Sequence, residues 1–315
     1  MRAIRRSGIL TVMIGPMVLV AVAAMASPPA KRARPPRFPK AIEDAFFPDA
    51  REKLVGSRPQ ASKRPVDSAT SVPPPVRVDR KPDDRVWSRL ITAEVIEDEI
   101  KAQQRKLSAS VESATSFKGG TYRDARLSLA LLATLFALDA QFDEKMRWQT
   151  IAAMMRDATA HAGFNCKVAT DASYREVRKV AEDLENLIRG GSALASEAAA
   201  EAGWDKIADR SQLMKRLEQS QQQALAPWTA SAGEFSKHAE RLTHEAQLVA
   251  ALADVIQQPG YELSDDETYR EYAQTMQAQA LAIRDAVEQK NYTAARQAAG
   301  EVSKACAACH EGYRN

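Results

Sequence analysis

The sequence has few of the residues that bind metals or react with one another, with 3 cysteines and 4 histidines in 315 residues. Cys306, Cys309 and His310 lie together, whereas Cys166 and the remaining histidines provide no second close pair. A structural zinc site needs about four ligands. A thioredoxin-like C-x-x-C motif needs a βαβ context, and no strand pattern of this kind is recognisable around the motif. The sequence therefore argues against both kinds of site.

Runs of alternating β-branched residues are also lacking from residue 84 onward, and proline is rare there. Almost every segment has instead the 3.6-residue period and the Ala, Leu, Glu, Gln, Lys and Arg content of amphipathic helices. Glycine and proline stand at the breaks between them, where helix-stopping residues belong. The pattern predicts eight helices, over residues 84–113, 121–142, 144–163, 172–189, 204–225, 231–257, 266–289 and 291–312.

The first 26 residues have the form of a signal peptide. Arginines precede an apolar run over residues 9–24, and Ala24-Met25-Ala26 is an A-x-A cleavage site. The run is short for a membrane span. We therefore expect export to the periplasm or another extracytoplasmic space; an uncleaved membrane anchor is the alternative.

Residues 27–83 hold 12 of the 15 prolines and read as a Pro-rich, basic, disordered linker. This segment has 13 Lys and Arg against 7 Asp and Glu, whereas residues 84–315 have 28 against 34. The basic tail is suited either to contact a membrane, a cell-wall polymer or an acidic partner, or to act as a spacer. The acidic, exported body argues against binding of nucleic acid.

Five residues before its last residue, the sequence completes the pattern C-x-x-C-H, formed by Cys306, Cys309 and His310. This is the pattern of covalent haem c attachment. On a helical turn the two thiols can each form a thioether with a haem vinyl group, and the adjoining histidine is then held against the iron as its proximal ligand. We therefore expect one covalent haem c and its iron. Five residues follow His310, so a sixth iron ligand must come from upstream.

The arrangement resembles the class II c-type cytochromes, the cytochrome c′ and cytochrome c556 family. In that family a four-helix bundle carries the motif near the end of its last helix. The family ending C-x-x-C-H-x-x-Y-R is matched here by Cys306, Cys309, His310, Tyr313 and Arg314. The resemblance implies that Arg314 lies near the proximal face of the haem.

The resemblance covers about residues 204 to 315. Arg210 and Met214 are similar to the R-x-x-x-M of six-coordinate cytochrome c556 members, where the methionine is the second axial ligand. The resemblance thus implies Met214 as a metal ligand. A thioether sulfur is a soft donor that stabilises ferrous iron and raises the reduction potential. Packing in the core is the alternative role for this methionine, and His238 and His244 are rival ligands.

The second four predicted helices match the first four in order, which predicts a duplication. We therefore expect an all-α fold of two tandem four-helix bundles, cytochrome c′-like, behind the signal peptide and linker. Residues 84–195 form the haem-less bundle, because Ile188 to Ser192 stand in place of the motif and Glu97 in place of Met214. Residues 196–315 form the haem-binding bundle. The matches are Trp87 over Trp204 at an offset of 117, Arg126 and Asp139 over Arg241 and Asp254 at 115, and Tyr174 over Tyr292 at 118.

These features predict a periplasmic single-electron carrier. We expect its redox partner to be a protein that is basic where it contacts the acidic body. Two alternatives stay open: a five-coordinate haem that binds NO or CO, and a tethered scaffold module whose haem is structural. No peroxidase-type acid–base pair is recognisable, so we do not expect an enzyme. Cytochrome c′ proteins often dimerise through their early helices. We therefore expect either a pseudo-dimer of the two bundles or a homodimer.

Overall fold

Each helix predicted from residue 84 onward has a counterpart in the computed structural model, which describes residues 86–191 and 202–314. The predictions for residues 1–26 and 27–83 lie outside the described residues. Within the described residues the secondary structure is helical and contains no strand, so the all-α fold is confirmed. No helix in these two ranges has the length and apolarity needed to span a membrane. The long helices there are α1 Ala93–Ser110, α2 Tyr122–Ala140, α3 Gln149–Asn165, α4 Asp171–Ile188, α5 Arg210–Ser220, α6 Ala232–Val255, α7 Glu267–Glu288 and α8 Tyr292–Tyr313.

Helix α3 begins at Gln149 and not at residue 144, and two further helices also begin well after their predicted starts. Helix α1 starts at Ala93 and not at residue 84, and α5 starts at Arg210 and not at residue 204. Before each of these last two helices stands a residue with an extended backbone and an accepting side-chain oxygen, Thr92 or Asp209. Such a cap satisfies a backbone N–H of the first turn and so fixes the start of the helix. The tryptophan ahead of each cap lies in a separate short helix, Trp87–Arg89 or Trp204–Ile207.

The helices form two groups, which we call the first half (residues 86–191, with α1 to α4) and the second half (residues 202–314, with α5 to α8). In the first half, α1 and α3 pack against both α2 and α4. In the second half, α6 packs against α5 and α7. Helix α8 packs against α7 and against Gln221–Leu225, the helical segment that continues α5. Between the halves, α2 contacts α5 and α1 contacts α6. Both halves belong to the same compact unit of the chain.

The last helix of each half buries the same stripe of positions but with side chains of different size. Helix α4 fills its stripe mainly with Val and Leu, whereas α8 uses mainly Ala. Small side chains let neighbouring groups approach the backbone of α8 closely. The buried stripes are Val177, Val180, Ala181, Leu184 and Leu187 in α4 and Ala295, Ala298, Ala299, Val302 and Ala305 in α8.

Candidate functional site

The cysteines and the histidine of the C-terminal motif lie on the last turns of α8. The helix begins after Asn291, whose Oδ1 accepts a hydrogen bond from the Ala294 N–H at 3.0 Å, and it continues through the motif. Cys306, Cys309 and His310 are each partly buried. Because residues three and four apart share one side of a helix, the two sulfurs and the imidazole are presented on the same face.

A cavity of about 630 Å³ lies beside this face of α8. Met214 of α5 lines it together with Cys309, His310 and Arg314. An adjoining cavity of about 70 Å³ is lined by Cys306 and shares Met214, Cys309 and His310 with the first. All five site residues predicted from the sequence therefore meet at one two-part cavity, although they come from different helices.

The two parts of the cavity differ in chemistry. The smaller part is lined mainly by apolar side chains, among them Leu217, Ile256, Ala273, Met276 and Ala305. The larger part has many charged side chains, among them Lys167, Asp205, Asp209, Arg210, Lys215 and Glu262. Ligand cavities typically combine apolar walls with a few polar groups that orient the ligand. Haem, a flat molecule with apolar faces and two carboxylates on one edge, fits this division.

Arg210 lines the larger part of the cavity, although it was not among the site residues predicted from the sequence. Its guanidinium carbon lies 5.7 Å from the ring centroid of Tyr269, and its Nη2 is 3.8 Å from Glu262. Its Nη1 is buried and has no hydrogen-bond partner. A buried donor of a charged group without a partner is costly. A carboxylate of a bound haem would satisfy it, so the residues present fit that group. The spacing of Arg210 four residues before Met214 was the available signal.

The environment of the two motif thiols disfavours their ionisation. Burial, followed by the nearby Cys309, raises the pKa of Cys306. Burial also raises the pKa of Cys309, with Asp266 acting in the same direction and Arg210 in the opposite one. The Sγ of Cys306 lies 3.9 Å from the Sδ of Met276. The surroundings of both cysteines therefore favour the neutral thiol over the thiolate.

A hydrogen bond holds the end of α8 beside the start of α7. The Tyr313 hydroxyl donates to Asp266 Oδ1 at 2.7 Å, and the same carboxylate oxygen accepts the Tyr269 N–H at 2.9 Å as the N-cap of α7. The rings of Tyr313 and Tyr269 meet edge to face at 5.7 Å. These contacts fix the last turn of α8, and with it the position of His310.

The first half also contributes to the wall of the larger cavity, through Phe164 and Lys167 at the end of α3 and just beyond it. Lys167 Nζ lies 5.4 Å from the ring centroid of Phe164. Nearby, Arg126 of α2 forms a 2.5 Å ion pair with Asp209, the N-cap of α5. These residues are far from the motif in sequence, and no local signal indicated their part in the site.

The rival ligands His238 and His244 line neither part of the cavity. His238 is buried, stacks on Trp228 at 5.0 Å and lies 3.1 Å from Glu234. The Nε2 of His244 is 3.3 Å from Glu99 of α1, in the contact between the halves. Both histidines serve packing and hydrogen bonding away from the site.

Cys166 is a buried thiol. Its Sγ donates to the Tyr122 carbonyl oxygen at 3.4 Å. Burial raises its pKa to about 11. It lies outside both cavities described above and is not activated as a nucleophile.

Comparison with known families agrees with the location of this site. Residues 263–314, which include α7 and α8, match the family model for Cytochrome C'. No curated protein and no solved structure matches the chain. The match supports a class II c-type cytochrome in the C-terminal part, and hence a c-type haem protein. It does not extend to α5, which carries Arg210 and Met214.

Proposed function

We propose that this protein is a periplasmic electron carrier that holds one covalent haem c. The observation that carries the proposal is the two-part cavity, in which Cys306, Cys309 and His310 of α8 lie together with Met214 of α5. The apolar lining of the smaller part would disfavour water beside the haem, which reduces the rearrangement that accompanies a change of charge. The charged lining of the larger part includes basic groups that can meet the haem carboxylates.

Each residue of the motif has a defined role in this proposal. Cys306 and Cys309 would hold the haem through two thioethers, each formed by addition of the S–H of one cysteine across one vinyl group. His310 presents an imidazole nitrogen as the proximal ligand. The bound haem supplies an iron that alternates between ferric and ferrous states. Tyr313, through Asp266, keeps the last turn of α8 in place.

Met214 is proposed as the distal ligand. It is partly buried and lines both parts of the cavity with His310. Its thioether sulfur is a soft, weak donor that favours ferrous over ferric iron. With haem bound, Met214 and His310 would both supply ligands to the iron without exchange on reduction, which would suit transfer of single electrons.

Binding of a small gas is the second candidate function. The match to the Cytochrome C' model covers the motif in α8 but leaves out α5, which carries Met214. This function requires a five-coordinate iron without Met214 as a ligand. The coordination number therefore distinguishes the two candidates.

The proposed location and partner rest on the sequence. The A-x-A site after residues 9–24 supports export. The excess of Asp and Glu in residues 84–315 supports a redox partner with a basic contact surface. Mature protein isolated from a periplasmic fraction with its amino terminus at Ser27 would agree with this location. Protein that retains Met1 and sediments with membranes would contradict it.

Optical and electron-resonance spectra of the haem-loaded protein test the proposal. We expect thioether-linked haem, a low-spin ferric spectrum, and conversion to high spin in Met214→Ala. Met276→Ala is the matched control, because Met276 also lines the smaller cavity but lies beside Cys306, and we expect it to stay low-spin. A wild-type ferric spectrum that is already high-spin would favour gas binding. Protein without covalent haem would reject both functions.

A further inference from the structure

Two contacts between the halves join residues that are 117 positions apart. The rings of Trp87 and Trp204 meet with centroids 6.1 Å apart. The second contact is an ion pair, in which Arg216 Nη2 lies 3.5 Å from Glu99 Oε1. The offset of 117 also aligns the first helix of one half with that of the other. Each contact therefore joins a residue to its own counterpart.

The caps of the two first helices are held in the same reciprocal manner. Thr92 and Asp209, the N-caps of α1 and α5, are again counterparts. The Thr92 N–H donates to Gln247 Oε1 of α6 at 2.8 Å. Asp209 accepts a hydrogen bond from Arg126 of α2. The second helix of each half thus reaches the cap of the first helix of the other half.

A contact between a residue and its own counterpart arises where two copies meet about a two-fold axis, because the same surface patch then serves both partners. We infer that the halves pair as the two subunits of a two-fold symmetric dimer do, within one chain. The first half occupies the place that a second haem-binding copy would take. Trp87 and Trp204, with Glu99 and Arg216, mark the axis.

The ion pair on this axis distinguishes the two halves from each other. Glu99 and Arg216 are 5% and 7% exposed, so each needs an opposite charge. Two first halves in this arrangement would bring two Glu99 carboxylates together without a basic partner. Two second halves would bring two Arg216 side chains together, each paired with Glu245 of its own half but without Glu99. Like charges in a buried contact are strongly unfavourable. The axis therefore favours one half of each kind over a pair of identical halves, and it disfavours a pair of first halves most strongly.

Other polar groups around the ion pair support an acid in the first half and a base in the second half. Arg216 Nη1 lies 2.5 Å from Glu245 Oε1 of α6. Glu99 accepts a hydrogen bond from Gln103 Nε2 at 2.8 Å and lies near His244 of α6. The side chains that surround the pair thus match an acid on α1 and a base on α5.

A protease site placed within residues 192–201 tests the inference on the full chain. After folding and cleavage, native mass spectrometry counts the assemblies of the two fragments. We expect 1:1 complexes and no pairs of identical fragments. The double variant Glu99→Gln with Arg216→Gln removes the charges but keeps hydrogen-bonding groups for Glu245 and His244. We expect it to lose selectivity, so that pairs of identical fragments appear.

The control is Asp98→Asn with Lys101→Gln, which removes an exposed ion pair of 2.9 Å on the same helix and should retain exclusive 1:1 pairing. Fragments that separate in the wild-type protein would overturn the dimer-like contact. A neutral Glu99 and Arg216 variant that still forms only 1:1 complexes would overturn the role of the charges. Neither readout depends on haem, so the inference can fail while the proposed electron transfer stands.

Discussion

The guanidinium of Arg210 lies over the ring of Tyr269. This contact holds a positive charge at the wall of the larger cavity, which Cys309 and His310 of the motif also line. Its Nη1 is buried without a partner. Arg210 therefore combines the right charge, the right place and an unused donor for a carboxylate of the proposed haem.

Replacement of Arg210 by Gln should lower the reduction potential of the haem-loaded protein. A nearby positive charge favours the ferrous iron over the more positive ferric iron, and a buried charge is screened less than an exposed one. Lys215→Gln is the matched control, because Lys215 lines the same cavity from α5 but is exposed. Spectroelectrochemical titration at constant ionic strength measures both shifts. Equal shifts in the two variants would contradict a special role for Arg210.

The buried carboxyl of Asp139 should make the protein less stable as pH rises. Both of its oxygens are buried without a hydrogen-bond partner, in the last turn of α2. Burial, with a contribution from Glu97, raises the pKa of Asp139 from 3.8 to about 7. Between these values the folded state binds a proton that the unfolded chain releases, so the free energy of unfolding falls with rising pH.

We expect Asp139→Asn to remove this fall and to raise the free energy of unfolding near neutral pH by on the order of 2 kcal/mol, after allowance for screening. Urea unfolding at several pH values between those two pKa values measures it. Asp124→Asn, an exposed change at the start of the same helix, should follow the wild-type curve. Parallel curves for the wild type and Asp139→Asn would show that the carboxyl is not the cause.

The ion pair at the axis should make the protein sensitive to acid. Burial opposes ionisation of Glu99, but hydrogen bonds and charges from His244, Arg216 and Gln103 outweigh it and lower the pKa of Glu99 from 4.5 to about 2. The carboxylate thus contributes stability that is complete above the unfolded pKa and is lost as pH falls towards the folded one. The contribution is about 3 kcal/mol.

Glu99→Gln should therefore lower the free energy of unfolding near neutral pH and flatten its decline between pH values of about 4.5 and 2. Chemical unfolding monitored by circular dichroism across that window provides the measurement. Glu94→Gln, an exposed change on the same helix, should have little effect. If Glu99→Gln retains the full acid-induced loss, the stability must come from other carboxyls.

The three cysteines should differ in their reaction with an alkylating reagent. In the haem-loaded protein Cys306 and Cys309 are expected to be thioethers, and Cys166 is buried with a pKa of about 11. A thiol reacts through its thiolate, so the native protein should take up almost no reagent in mildly alkaline buffer. After denaturation one equivalent should react. Mass spectrometry that finds three reactive thiols would rule out covalent haem in that sample.

Local patterns predicted the helices well because each long helix has its own apolar period and its own stops. They failed at the starts predicted for residues 84, 144 and 204. At residues 84 and 204 the apolar Trp87 and Trp204 extend the period beyond the true starts of α1 and α5. The caps Thr92 and Asp209 outweigh that period, since a side-chain acceptor at the first turn replaces a missing backbone bond. The internal match at an offset of 117 was visible in the sequence, but not that the matched residues touch.

By itself the sequence determined the chemistry of the attachment point, because Cys306, Cys309 and His310 lie within one helical turn and their relative positions follow from the helix alone. Tertiary structure decided what stands opposite them. Met214 and Arg210 reach the cavity only because α5 packs beside α8, and Phe164 and Lys167 only because the first half packs against the second. Such contacts depend on packing over long separations in the chain, which no local period encodes. The same packing joins Glu99 to Arg216, and so gives one chain the two unlike halves of a dimer.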